Sequence, residues 1–336
     1  MKKQHKIYLL FSLLFTFTLF LCGIAVRYVI DPVGVNNKFD LGLYKDVALA
    51  YRTQKFVELN EVKPNTLMLG GSRVHYLQPN DVQKYTNDKV YNMGLSYATL
   101  EEQYFFLKYS TENFEIKNVV MGLNLYPFSE KLEENTNSDF NKNLFKYGFN
   151  FYYQIKHYLE VPLFKYLKYA YTNTFTEPFY KDGAITPYHQ SVVLNSGTWE
   201  ERQANSYNGY VEKYKNYLEW GESNLEYFKK IVQLCQEKNI NLKVFTTAVH
   251  VSQLHILEDL DKMDIYYQWK KELAKIVAYW DFMYENSVTQ NDDNFIDTSH
   301  IKQELGYLYF AKLFEDNEVE IPEDFGIYMS EEDINL

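Results

Sequence analysis

The sequence predicts an α/β fold built on a parallel, doubly wound sheet, with one apolar helix ahead of it. Three observations point there. Between Thr66 and Asn124, short apolar runs alternate with helical patterns in the order strand–helix–strand–helix–strand. Each run closes in Gly or Asn near its carboxyl end: Gly70 and Gly71, then Gly94, then Gly122 with Asn124. An uncharged stretch, Ile7–Val26, precedes them all.

A chain of 336 residues, 46% hydrophobic and 24% charged, holds one large domain or one domain with a sizeable insertion. Its net charge of −11 argues against a nucleic-acid partner, because phosphate binding needs a basic surface. Two cysteines, Cys22 and Cys235, are too few for a disulfide framework or a cysteine zinc site. No metal-ligand spacing stands out, Asp292-Asp293 alone is not a site, and no cofactor is expected.

Ile7–Val26 is twenty residues long, enough to cross ~30 Å of hydrocarbon as a helix. Lys2, Lys3 and Lys6 precede it and only Arg27 directly follows, which puts the N-terminus inside and the remainder outside. Gly23-Ile24-Ala25 could serve as a signal-peptide cleavage site, but it lies within the apolar run rather than after it. A lipoprotein anchor at Cys22 would want a small residue where Leu21 stands. An uncleaved anchor over residues 1–27 is therefore expected, then a linker and helix over 28–65. An extracytoplasmic domain over 66–320, with an aromatic-rich helical insertion at 129–220, and a tail at 321–336 complete the division.

Asp31-Pro32 turns the chain away from the apolar helix. Asp46–Val62 has helical periodicity, and Arg52 and Lys55 in its middle read as a solvated face or, in a sharper reading, as a group that meets the ligand edge or a phosphate. Thr66–Leu69 reads as a buried strand. The Gly70-Gly71-Ser72-Arg73 turn after it can present a hydroxyl at the carboxyl edge of the sheet, where ligand sites of open α/β sheets lie. A short helix near Asp81–Tyr85, a strand at Lys89–Asn92 leading into Met93-Gly94, an amphipathic helix at Thr99–Tyr109 and a strand at Ile116–Asn124 follow. Phe149–Phe175 is dense in aromatics and reads as one or two helices over the sheet or beside the membrane. Its rings serve as core, or as a platform for sugars or a membrane partner. Asp182–Gly209 is polar and reads as a long surface loop or lid. Glu222–Glu237 is a helix, Asn241–His250 a fourth strand, Tyr266–Asp281 a helix and Ile301–Leu313 the last helix, with a surface tail beyond Asp316.

Asp297-Thr298-Ser299-His300 sets a carboxylate and an imidazole three apart in a tight turn, where both can point to one side. Asp297 or Ser299 capping the last helix is the plainer alternative. His75 and His250 are rival bases, and with Arg73 they are candidates to line a pocket.

Taken in order, Ser72 after one strand, Gly94 after the next, Asn124 after the third and Asp297-x-x-His300 before the last helix resemble the SGNH (GDSL-like) hydrolase superfamily. The single N-terminal span, the Asp-Pro turn and the Gly-Gly-Ser-Arg turn look like its membrane-anchored members, the DltD-like proteins of lipoteichoic-acid D-alanylation and the accessory proteins of polysaccharide O-acetylation. The resemblance implies a flavodoxin-like three-layer fold with helices on both sheet faces. It implies Ser72 as nucleophile, His300 as base and Asp297 as the group that orients it. The oxyanion hole would be the N–H of Ser72, the N–H of Gly94 and the side chain of Asn124. The implied reaction is O-acyl transfer or ester hydrolysis through an acyl-serine, on a cell-envelope polysaccharide or teichoic acid. The implied partner is a membrane-bound O-acyltransferase. A non-catalytic assembly factor docking through Phe149–Phe175, or a glycan-binding module, is the alternative.

Overall fold

The computed structural model describes residues 2–36, 38–39, 41–46, 50–132, 139–172 and 180–335. Val47 and Leu49, at the start of the expected helix over Asp46–Val62, and Phe175, at the end of the aromatic stretch, lie outside them. In chain order the elements are α1 (Lys2–Ile30), α2 (Tyr51–Val62), β1 (Thr66–Gly70), α3 (Ser72–His75), α4 (Pro79–Thr86), β2 (Val90–Gly94), α5 (Leu100–Asn113) and β3 (Asn118–Leu123). Then come α6 (Lys142–Tyr147), α7 (Phe151–Glu160), α8 (Leu163–Thr172), a β4–β5 hairpin (Tyr180–Lys181, Ala184–Ile185), α9 (Pro187–Leu194) and α10 (Trp199–Tyr217). The chain closes with α11 (Ser223–Glu237), β6 (Asn241–Thr246), α12 (Val251–Asp259), α13 (Met263–Ile276), β7 (Tyr279–Asp281), α14 (Gly306–Leu313) and β8 (Ile327–Met329). It divides into two compact units, Met1–Glu58 with Asn141–Pro178, and Leu59–Phe140 with Phe179–Leu336.

In the first unit, α1 is apolar and long enough to cross a membrane, and its side chains are exposed along the apolar run. The Asp31-Pro32 turn after it is pinned rather than slack. The buried Asp31 carboxylate accepts from the N–H of Val35 at 3.0 Å and of Asn36 at 3.2 Å, and pairs with Lys45 at 3.1 Å. Helix α7 packs on the end of α1, with Tyr28 edge-on to Tyr158 at 5.6 Å and Arg27 Nε donating to the Val161 carbonyl. Arg52 and Lys55 do not lie on a solvated face. Both are buried, with Lys55 over the Tyr51 ring at 5.0 Å, and burial pulls the Lys55 ammonium well below its usual pKa despite the nearby Glu58.

The second unit holds a mixed α/β sheet of six strands in the order β2-β1-β3-β6-β7-β8, all parallel except β8. Side chains alternate across it. Met68, Val120 and Phe245 join Val74, Val82, Leu308, Phe310 and Leu313 in one hydrophobic cluster, beneath α4 and α14. Leu67, Leu69, Val119, Met121 and Val244 are buried on the opposite face, where α5 and α11 pack together. The strand order reverses between β1 and β3, so the crevice for a ligand opens at the carboxyl ends of those two strands.

A row of glycines shapes that edge. Gly70, Gly94 and Gly122 stand side by side in the register. They let the short helix α3 lie directly on the sheet end: a Cβ on Gly122 would come 2.4 Å from Val74 Cγ2, and one on Gly94 would come 2.4 Å from the His75 backbone N.

Three expectations are corrected. Asp182–Gly209 is not a loop: Thr186 caps α9 with Pro187 at its first turn, and Thr198 with Glu201 forms a reciprocal capping box for α10. Tyr266–Asp281 is not one helix. Val277 turns extended, and Tyr279–Asp281 alternates buried and half-buried side chains as the fifth strand of the sheet. The residues beyond Asp316 do not all trail on the surface, because Ile327–Met329 pairs antiparallel with β7.

Replacing Gly94 with Ala should push α3 off the sheet and destabilise the protein by roughly 1–3 kcal/mol or more in denaturant unfolding. An unchanged midpoint would contradict this packing account.

Candidate active site

Ser72 opens α3 immediately after β1. Its Oγ lies 2.9 Å from His300 Nε2, and His300 Nδ1 lies 2.9 and 3.0 Å from the two oxygens of Asp297. A carboxylate only accepts, so Nδ1 carries the ring proton and Nε2 is left to accept from the serine hydroxyl. The Asp297 Oδ1 also accepts from the N–H of Ser299 at 2.7 Å and of His300 at 3.0 Å. It therefore caps its own turn rather than α14, which starts only at Gly306. Burial alone would raise the Asp297 pKa, but the charge of His300 and these hydrogen bonds outweigh it and hold the carboxyl below its usual range. The Tyr76 ring rests against the imidazole, centroids 5.0 Å apart.

The turn is held from outside by α10. Arg202, Ser206 and Tyr210 are four residues apart and share one helix face. Arg202 Nε donates to the Ile296 carbonyl at 2.8 Å, Ser206 Oγ meets Thr298 Oγ1 at 2.6 Å, and Tyr210 Oη meets Ser299 Oγ at 2.7 Å. None of the three was singled out in the sequence. The Thr-x-x-Glu signature at Thr198 and Glu201 was the signal that a helix begins there.

Asn124, just past β3, also reaches the edge. Its Oδ1 accepts from Thr247 Oγ1 at 2.9 Å, which turns the amide nitrogen toward Gly71, where an added Cβ would lie 2.7 Å from Nδ2. The Ser72 N–H belongs to the first turn of α3 and has no acceptor within that helix. These two N–H groups lie beside the serine.

Gly94 is not brought there. Its N–H is donated to Asn92 Oδ1 at 2.7 Å, while Asn92 Nδ2 holds the carbonyls of Val74 and Leu77, each at 2.7 Å. Arg73 is buried in the wall of the cleft. Its Nε donates to Ser299 Oγ at 2.9 Å and its Nη1 to Thr247 Oγ1 at 3.2 Å, so it braces the turn and the β6 tip together. His75 is buried against Tyr180 and does not line the cleft. His250 is also elsewhere. Its Nδ1 caps α12 beside Ser252 and its Nε2 lies 2.9 Å from Asp292.

Ser72, Asn124, Asp297 and His300 line a cleft of about 680 Å³, together with Arg73, Tyr76, Tyr97, Tyr126, Arg202, Tyr210 and Lys213. Among the described residues, no group of three or more His, Cys, Asp or Glu side chains is placed to hold a metal. Chemically, the arrangement can draw a proton from a hydroxyl into a positioned imidazole and offer two N–H donors to a developing oxyanion.

No family model matches the chain, and neither does any curated protein. Among solved structures, the chain is similar to a Streptococcus pneumonia protein provisionally described as a platelet activating factor. The two share 13% identity over 79% of this chain and 90% of that one, at a TM-score of 0.38.

Because its folded pKa is depressed, Asp297 contributes stability that is fully present above the carboxyl's ordinary value and lost as pH falls through the depressed one. The acid limb of a stability–pH profile should therefore be flatter in Asp297→Asn than in the wild type. Parallel limbs would contradict the assigned interactions.

Proposed function

We propose that the chain is a membrane-anchored serine esterase or O-acyltransferase of the SGNH type, with α1 as an uncleaved anchor and the cleft outside the cytoplasm. The observation that carries this is the continuous hydrogen-bonded line Ser72–His300–Asp297 at the mouth of a cleft on the reversal point of a parallel sheet. Lys2, Lys3 and Lys6 before the apolar run support the orientation.

In this reading the Ser72 Oγ attacks the acyl carbonyl as its proton passes to His300 Nε2, and Asp297 stabilises the imidazolium. The oxyanion accepts from the Ser72 N–H and Asn124 Nδ2, which leaves Gly94 a packing role. Collapse returns the proton to the departing alcohol and leaves an acyl-serine. A second hydroxyl then gives its proton to His300 and attacks the acyl carbonyl; the bond to Ser72 Oγ breaks, His300 returns the proton to that oxygen, and the acyl group leaves on the second hydroxyl. That hydroxyl comes from water or from a cell-envelope polysaccharide or teichoic acid.

Full-length protein should label with a fluorophosphonate at Ser72, and Ser72→Ala should not label at all. Asn124→Ala should lower kcat toward a simple aryl ester about 10²–10³-fold. Equal labelling of wild type and Ser72→Ala would end the nucleophile assignment.

A second reading, a docking subunit for a membrane-bound O-acyltransferase, is favoured by the surface of α7 and α8. Phe151, Phe164 and Tyr171 are 76%, 84% and 91% exposed. Lys156, Lys165 and Lys168 are exposed beside them. Phe164→Asp with Tyr171→Asp should abolish co-purification with such a partner while Ser72→Ala retains it. Complementation of a deletion strain by Ser72→Ala would favour docking over catalysis.

A further inference from the structure

Three cationic side chains, Arg73, Arg202 and Lys213, line the cleft, and two of them donate to oxygens of the protein itself. Arg73 is spent on Ser299 and Thr247. Arg202 is spent on the carbonyls of Ile296, Leu194 and Gly197. Lys213 is different. Its ammonium sits over three rings, 4.2 Å from the centroid of Tyr97, 5.0 Å from Tyr126 and 5.1 Å from Tyr210. Among the described residues, no carboxylate pairs with it and no oxygen accepts its protons.

The three rings come from the segments that build the site. Tyr126 lies two residues after Asn124, and Tyr210 is bonded to Ser299 in the Asp297–His300 turn. Tyr97 follows β2 with φ at 55° and is 54% exposed. That is a conformation a bulky aromatic residue rarely adopts, and such outliers concentrate where a ligand is held.

We propose that Lys213, caged by Tyr97, Tyr126 and Tyr210, is a subsite for an anionic oxygen group, a phosphate or a carboxylate, on the substrate that Ser72 acylates or deacylates. This rests on the acyl-transfer reading of the same cleft. The tyrosine faces fix the ammonium in place, because each ring presents its negative face to the cation. The three N–H donors then lack only an acceptor, and the open cleft is where one can come from. A second cation would be repelled from the filled cage. A neutral sugar could stack on the rings but would leave the ammonium unanswered.

The test uses detergent-solubilised full-length protein at low salt and ligand-observed NMR with three probes: glycerol 1-phosphate, monomethyl succinate and glycerol. The wild type should bind at least one of the two anions and not glycerol, and the better anion identifies the phosphate or carboxylate source. Lys213→Gln should weaken that binding about tenfold or more, the scale of a hydrogen bond to a charged group. Lys213→Arg should restore most of it. The bound anion should also slow fluorophosphonate labelling of Ser72 in the wild type. Equal anion binding by wild type and Lys213→Gln, or none by the wild type, overturns the subsite. Anion binding that follows Lys213 in a protein whose Ser72 never labels would instead keep the subsite and remove the acyl-transfer reading.

Discussion

The contact between Ser72 and His300 joins residues 228 positions apart. Nothing local holds the two together. Ser72 is placed by β1 and by the glycine row that lets α3 lie flat. His300 is placed by a turn whose backbone is tied to the Asp297 carboxylate. The hydrogen bond exists only while both supports hold.

The supports meet around the turn in a chain of satisfied polar groups. Arg73 reaches across from α3 to Ser299 and to Thr247. Thr247 passes the constraint on to Asn124. The side that Arg73 does not cover is taken by the Arg202, Ser206 and Tyr210 face of α10. A buried guanidinium without these acceptors would be costly, so the same bonds that keep Arg73 in place also keep the serine, the amide and the imidazole in one frame.

How much of this was legible follows from where the information is stored. Ser72 and Asn124 could be placed at one edge because each follows a patterned strand, and strand ends in open sheets gather there; Asp297 and His300 could be paired because they stand three apart in one turn. Gly94 was misread because its N–H is decided by a side chain two residues away. Asn92 was noticed only as part of a strand, and whether an amide faces a ligand or a neighbour is set by register, not by composition. Helix α10 was misread because a polar, exposed helix has the same average composition as a loop, and only its capping box distinguished it. His75, His250, Arg52 and Lys55 show the same limit in charge: a titratable residue at helical or strand-end spacing can face core or water, and tertiary packing decides.

The misread helix turns out to join the site's two halves. Its Arg202–Ser206–Tyr210 face holds the Asp297–His300 turn, and one turn further on Lys213 enters the cleft beside Tyr210. The phenol of Tyr210 feels both: burial raises its pKa, and the cations Arg73 and Lys213, with the Ser299 hydrogen bond, more than offset that rise and bring it below its usual value. A group that binds at Lys213 would therefore act on a residue bonded to the turn that aims His300. Strand tips alone would leave a serine exposed at a sheet edge. The helix is what makes the position of the imidazole depend on the same element that reaches into the cleft.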